Sequence, residues 1–158
     1  MPLIKKHISI PLIAAGGIGT GETMLAAMSL GADGVQIGSR FVLSDESSAH
    51  INFKNAVIQA NDGDTLLTLK EITPVRLIKN KFYDKIKNAY FKKSNIEDLR
   101  EILGKGRAKK GMFEGDIDEG ELEIGQISSY LDSLKPAKEI IKEIISDFYN
   151  TRNKLNEY

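Results

Sequence analysis

The 158-residue sequence predicts an α/β fold, with βα units of a parallel sheet in its first part and a mostly helical region after them. Three observations lead there. Ile8–Ala15 and Ala32–Ile37 are short apolar runs with β-branched residues, closed by Gly16-Gly17 and by Gly38-Ser39. The stretch between them has helical spacing, and strand, helix and strand together fill about the 30 residues of one right-handed βαβ crossover. The composition then changes, from glycine-rich and apolar over residues 8–43 to Lys, Glu, Ile and Asn over residues 80–158.

Each element follows from local chemistry. Ile8–Ala15, flanked by glycine, reads as a buried parallel strand. Glu22–Leu30 places Met24, Leu25, Met28 and Leu30 at helical spacing, with Thr20 as its N-cap and Gly31 past its C-terminal end. Residues 45–60 form another helix, with Ala49, Phe53, Val57 and Ile58 on or near one face. Leu66–Ile78 is strand-like, and Pro74 makes it an edge or bent segment. Lys81–Phe91 and Ile96–Leu103 are amphipathic helices; Phe82, Tyr83, Tyr90 and Phe91 recur at helical spacing, which predicts core packing. Gly104–Gly125 is a glycine-punctuated loop. Helices over Gln126–Leu134 and Pro136–Leu155 follow, the second opened by proline, and Asn150–Tyr158 is expected to fray.

The totals narrow the function. Twenty-two basic and 22 acidic side chains cancel, which gives no electrostatic case for a nucleic-acid partner. With no cysteine there is no disulfide, thiolate nucleophile or Cys-based metal site. No apolar run reaches the roughly 18 residues of a membrane span, and the N-terminus lacks the order of a signal peptide. A soluble cytoplasmic protein without a membrane partner is expected. One domain's worth of chain is present, against about 250 residues for a complete (β/α)₈ barrel.

Two segments carry chemistry. Ala14-Ala15-Gly16-Gly17-Ile18 ends the first strand, and its glycines let backbone N–H groups approach an anion unobstructed. Gln36-Ile37-Gly38-Ser39-Arg40-Phe41 ends the second, where a glycine and a hydroxyl precede a helix whose dipole favours negative charge. In TIM barrels the loops after strands seven and eight often form such a phosphate site. Two of these loops on consecutive strands point to phosphate; the alternative is that the glycines only make tight βα turns.

On these residues the sequence resembles a family. Ile10-Pro-Leu-Ile-Ala-Ala-Gly-Gly-Ile18, Leu30-Gly-Ala-Asp-Gly-Val-Gln-Ile-Gly-Ser-Arg-Phe41 and Glu46-Ser-Ser-Ala-His50 are similar to nitronate monooxygenases, formerly 2-nitropropane dioxygenases, and to the related flavin-type enoyl-acyl-carrier-protein reductases. Gly104-Lys-Gly-Arg-Ala108 and Gly115-Asp116 with Gly125-Gln126 extend the match. The resemblance implies FMN as cofactor, held at its phosphate by Gly16, Gly17, Gln36, Gly38 and Ser39, the last standing where the family often has threonine. It implies that residues 1–60 are the last two βα units of a TIM barrel, and that 61–158 are a mainly helical region packing over or beside it. The implied activity is oxidation of a small anionic alkyl nitronate with O₂; the rivals are enoyl-thioester reduction and a non-catalytic fragment that only binds phosphate or flavin.

No catalytic residue is assigned. The family's histidine belongs to the N-terminal half of the barrel, so the isolated chain is expected to be inactive and to associate, as a homo-oligomer or with the missing half. His7 precedes the first strand and reads as a surface residue; His50 reads as a packing or capping residue. Arg40 is either an anion partner or the partner of Asp45 or Glu46, and Asp33 is a structural cap. Lys105, Arg107, Lys109 and Lys110 are either a lid over an anionic ligand or a solvated cluster balanced by Glu114, Asp116 and Asp118. Gln126 is placed near the active-site cleft by the resemblance.

Overall fold

The computed structural model describes residues 1–157, which divide into two compact units, Met1–Ser47 with Leu134–Tyr158, and Ser48–Ser133. The final helix lies in the same compact unit as the βα segments.

In the first unit a short helix α1 (Pro2–Lys5) leads to β1 (Ile13–Ala15), α2 (Gly21–Ser29), β2 (Gly34–Gln36), the single turn α3 (Ser39–Val42) and, at the chain's end, the long C-terminal helix (Ala137–Leu155). β1 and β2 pair in parallel, Ile13 with Gly34 and Ala15 with Gln36, as the βαβ pattern requires. The strands are shorter than the apolar runs predicted. Asp33 explains one boundary: its carboxylate accepts the Leu12 N–H at 2.8 Å and pairs with Lys5, tying the chain before β1 to the turn before β2. Thr20 caps α2, and Thr23 returns the bond in a reciprocal capping box. Ile18, Ala27 and Ala32 form the buried cluster between strand and helix, with Met24 and Val35 against it.

The C-terminal helix lies hard against α2. Gly21 is buried at the contact, and a Cβ there would collide with the Phe148 backbone N and lie 2.5 Å from the Ile144 carbonyl oxygen. The Asp147 carboxylate accepts the Gly21 N–H at 2.9 Å, satisfying a donor that α2 leaves open at its first turn. Glu22 shares a side-chain hydrogen bond with Asp147, and chiefly through it the Asp147 carboxyl is pushed above its usual range. Helical order runs to Leu155, so the fraying expected from Asn150 onward is absent through that residue. The amphipathic contact with α2, anchored by buried Ile140 and Ile144, outweighs the usual loosening of a terminus.

The second unit begins with α4 (Ile51–Gln59), shorter than the helix over 45–60 that the sequence suggests. Next come the antiparallel strands β3 (Thr65–Thr68) and β4 (Val75–Ile78), then α5 (Lys81–Phe91) and α6 (Ile96–Leu103). Pro74 sits just before β4, so the interrupted Leu66–Ile78 segment is a hairpin, paired Thr65 to Ile78 and Thr68 to Val75. Leu69, Leu77, Phe82 and Ile86 make the core. The aromatic stripe splits: Phe82 is buried, but Phe91 is 89% exposed, and Tyr90 turns its hydroxyl outward to Glu71 at 2.6 Å. Ala89 takes the inward position that the aromatic spacing had suggested for its neighbours.

Segment 104–125 is more ordered than a loop. It contains a π-helical turn (Lys109–Phe113), and residues 122–124 add to the hairpin, with Ile78 N–H donating to Leu122 at 3.0 Å and Ile124 N–H to Arg76 at 3.2 Å. Gln126–Tyr130 is a short 3₁₀ turn, not an α-helix reaching Leu134.

The Gly21 contact generates a stability test. Gly21→Ala should cost at least the 1–3 kcal/mol typical of overpacking, because only backbone atoms could yield. Gly38→Ala, where a Cβ meets nothing within 4 Å, should be close to neutral. Urea unfolding of both variants measures the difference; equal stabilities would show that the C-terminal helix is not seated as described.

Candidate functional site

Parallel pairing places the ends of β1 and β2 side by side, and the glycine segments leave from that shared end. Ala15 is in register with Gln36. Gly16 and Gly17 follow at φ +93° and +71°, a region that a Cβ disfavours, so glycine is required for the turn itself. Gly38 is the N-cap of α3 and Ser39 its first residue. A Cβ added at Gly16, Gly17 or Gly38 would meet no atom within 4 Å, and all three are exposed. Close packing therefore does not explain the glycines at either turn. Among the described residues, the N–H groups of Gly17, Ile18 and Gly38 donate to no protein acceptor. The space at these turns is open and is bordered by backbone donors that have no protein acceptor.

The expected dipole is smaller than the sequence implied. α3 has only four residues, and α4 starts at Ile51 after an irregular stretch. Individual N–H groups, and not a long helix, are the donors available for an anion here. Arg40 is buried within this turn at 7% exposure. Glu46, one of its suggested partners, accepts the Ala137 N–H at 2.8 Å.

Both histidines have structural settings. His7 is exposed ahead of β1. His50 caps α4, its Nδ1 accepting the Asn52 N–H at 3.1 Å, and its own N–H donates to the Met112 carbonyl at 2.8 Å. Gly115 packs directly on the His50 ring, where no Cβ would fit. This seats segment 112–115 against the start of α4. Among the described residues no group of three or more His, Cys, Asp or Glu is arranged to hold a metal, and no helix is long and apolar enough to cross a membrane.

The basic loop is largely balanced. Lys109 pairs with Glu114 at 3.1 Å and Lys110 with Asp116 at 2.9 Å. Arg107 donates to the Ile102, Leu103 and Glu119 carbonyls and stacks over Phe82, 4.6 Å from the ring centre. Asp118 pairs with Lys81 instead. Gln126 is exposed at the start of its 3₁₀ turn.

One titratable residue escaped the sequence reading. Glu121 is 7% exposed, and its carboxyl is pushed up to about 6 by burial and by the Glu123 carboxylate, with Arg107 opposing. The signal was present in the alternation Glu121-Leu122-Glu123-Ile124, a strand period that puts the two acids on one face.

These features define a class: a parallel βα pair with glycine turns at the carboxyl ends of its strands, part of an α/β barrel of the flavin-binding type. The chain belongs to the nitronate monooxygenase family, whose model matches residues 1–147. It is 32% identical over 149 residues to a probable nitronate monooxygenase of Bacillus subtilis (strain 168), covering 93% of this chain and 42% of that protein. Among solved structures it is similar to FabK from Thermotoga maritima, at TM-score 0.92 and 37% identity over 99% of this chain and 50% of that one. It is also similar to a nitroalkane oxidase from Streptomyces ansochromogenes, at TM-score 0.75 and 26% identity over 98% and 44%. The chain thus spans half or less of the length of these relatives.

Glu121 sets a pH test. Its folded value of about 6 exceeds the ordinary 4.5, so the folded state holds the proton more tightly. Stability is full below pH 4.5 and falls as pH rises through 6. Glu121→Gln should therefore gain about 1–2 kcal/mol over the parent above pH 7 and almost nothing at pH 4.5. Thermal melts across that range check it; a pH-independent difference would show that the carboxyl ionises freely.

Proposed function

We propose that this chain is the phosphate-anchoring part of an FMN-dependent oxidoreductase that oxidises alkyl nitronates with O₂. The observation that carries the reading is the pair of open glycine turns at adjacent carboxyl ends of parallel strands. Gly17, Ile18 and Gly38 would supply N–H donors to the FMN phosphate. Gly16 sets the left-handed turn that presents them, and Gln36 and Ser39 flank the phosphate on the neighbouring strand end. When bound, the flavin supplies the redox chemistry. The chain's own part is to fix one end of the cofactor, so that the orientation of the rest is decided before a substrate arrives.

The remaining strands of the barrel lie in the part of the relatives that this chain does not span. In this reading they provide the groups beside the flavin ring. The β1–β2 pair has only two strands, and Ile10 and Ile13 are 67% and 53% exposed, which suits a sheet completed by further strands. That completion comes either from the same polypeptide or from an associated one.

A second reading is reduction of enoyl thioesters with NAD(P)H. It is favoured by the higher likeness to FabK, an enoyl-acyl-carrier-protein reductase, than to the nitroalkane oxidase. Both readings use the same phosphate site.

Two measurements test these statements. Gly38→Val should weaken FMN binding by about 10- to 150-fold for each charge-assisted hydrogen bond lost, read by flavin fluorescence titration. Unchanged affinity would move the phosphate elsewhere. Residues 1–158 alone, given FMN and a propane nitronate, should consume O₂ no faster than free flavin. Sustained turnover would show that the chain holds a complete site. The same assay on the protein with its barrel complete separates the chemistries: nitronate-dependent O₂ uptake supports the first reading, and NAD(P)H oxidation driven by an enoyl thioester the second.

A further inference from the structure

Two carboxyl groups meet where the C-terminal helix seats on α2. Glu22 follows Gly21 on α2, and Asp147 precedes Phe148 on the other helix. Asp147 accepts the Gly21 N–H at 2.9 Å, and Glu22 and Asp147 share a side-chain hydrogen bond. An ionised carboxylate only accepts, so that bond requires a proton on one of the two groups. The backbones are fixed here by steric contact, since a Cβ on Gly21 would collide with the Phe148 N. Two carboxylates on a looser surface would simply move apart; these are held together by the packing beside them.

The surroundings divide the roles. The hydrogen bond with Asp147, then one from Thr20, keeps Glu22 below its ordinary value, and Lys154 on the C-terminal helix adds attraction. Asp147 is raised chiefly by Glu22 and then by burial. Among the described elements, α2 and α3 pack on the C-terminal helix. Glu22 is the charged residue of α2, and the buried Arg40 that of α3. On the helix itself Glu143, one turn before Asp147, is paired with Lys135 at 2.6 Å.

The start of the same helix is tied to the chain that follows Gly38. The Lys135 N–H donates to the Leu43 carbonyl at 3.3 Å, and the Asp45 N–H to the Lys135 carbonyl at 3.1 Å. The Glu46 carboxylate accepts the Ala137 N–H at 2.8 Å. A helix that lifts from α2 disturbs these bonds, and through them the exit of α3.

We propose that Glu22 and Asp147 form a proton-dependent clasp, which seats the C-terminal helix on α2 while the pair holds one proton and loosens the helix, with the turn after Gly38, when that proton is lost. The clasp is independent of any ligand and of the chemistry the whole protein performs. Its pH window has two sides. The raised Asp147 contributes stability that is full below its unfolded value and lost as pH rises through its folded one. The lowered Glu22 contributes stability that is present above its ordinary value and lost as pH falls through its folded one. The seat is therefore tightest between the two folded values, where the pair is singly protonated, and it loosens toward neutral and alkaline pH.

Amide hydrogen exchange of the 158-residue protein between about pH 5 and about pH 8, corrected for intrinsic rates, tests this. Protection of Gly21, Ile144 and Phe148 should fall severalfold toward the upper end, and protection of Asp45 and Lys135 should fall with it. Asp147→Asn keeps an oxygen for the Gly21 N–H and sets a permanent donor against Glu22. Its protection should exceed the parent's at the upper end and stay level across the range. Glu22→Gln makes the same test from α2, at an exposed position that leaves the Gly21 contact untouched. Glu139→Gln removes an exposed carboxylate of the same helix outside the pair, and should keep the parent's profile. Glu121 lies in the other unit, so its titration moves the parent and all variants alike. A flat parent profile, or a fall that either Asp147→Asn or Glu22→Gln retains, would overturn the clasp. Loosening at Gly21, Ile144 and Phe148 with Asp45 and Lys135 unmoved would overturn its link to the turn after Gly38.

Discussion

The seat of the C-terminal helix on α2 is the contact on which the first unit depends. A parallel βαβ unit of two three-residue strands has little sheet of its own, and its crossover helix needs a second layer to bury against. That layer comes from residues more than 100 positions away. Gly21 admits it by lacking a side chain, and Asp147 fastens it by accepting the Gly21 N–H. Lys135, just before the helix, bridges to Ser44 beyond α3, so the same return of the chain also ties down the turn that follows Gly38. The glycine turns consequently sit on a braced frame, although each is built from only a few residues.

The second unit solves a different problem. Its hairpin is short, and it gains a further partner from residues 122–124, while α5 covers the hairpin core with Phe82 and Ile86. The intervening segment is then held by side chains. Asn80 donates to the carbonyls of Ile117 and Gly120, Arg107 to three carbonyls, and His50 seats Gly115. Carbonyl groups that a loop would leave to water are paired this way. Among the described residues the Ser128 hydroxyl is fully buried without a partner, which nothing in the structure explains.

The β1 and β2 turns offer N–H groups in open space and little charge, which suits a ligand whose position matters more than its local affinity. The Gly104–Lys110 segment instead carries lysines, two of them in ion pairs with Glu114 and Asp116. Neither place holds a histidine, cysteine or metal-binding cluster suited to bond-breaking chemistry. The chain spans half or less of the length of these relatives.

What the sequence determined by itself was whatever depends on near neighbours. Thr20 before a helical run, glycine after each apolar run, and the period of residues 81–91 and 96–103 placed α2, α5 and α6 and named both glycine turns, because caps, turns and amphipathic faces are set within a few residues. The likeness of residues 10–41 to a known family added the cofactor expectation. What only tertiary structure decided were outcomes set by distant partners. Ala89 is buried while Phe91 is 89% exposed, a choice that the aromatic spacing of α5 does not reveal. Gly21 is required by a backbone contact with Phe148, which no local pattern around Gly21 reveals. Glu121 is buried although its composition reads as solvated, since residues brought from elsewhere in the chain cover it. Local signals specify what a segment prefers; the groups it is packed against decide which preference is realised.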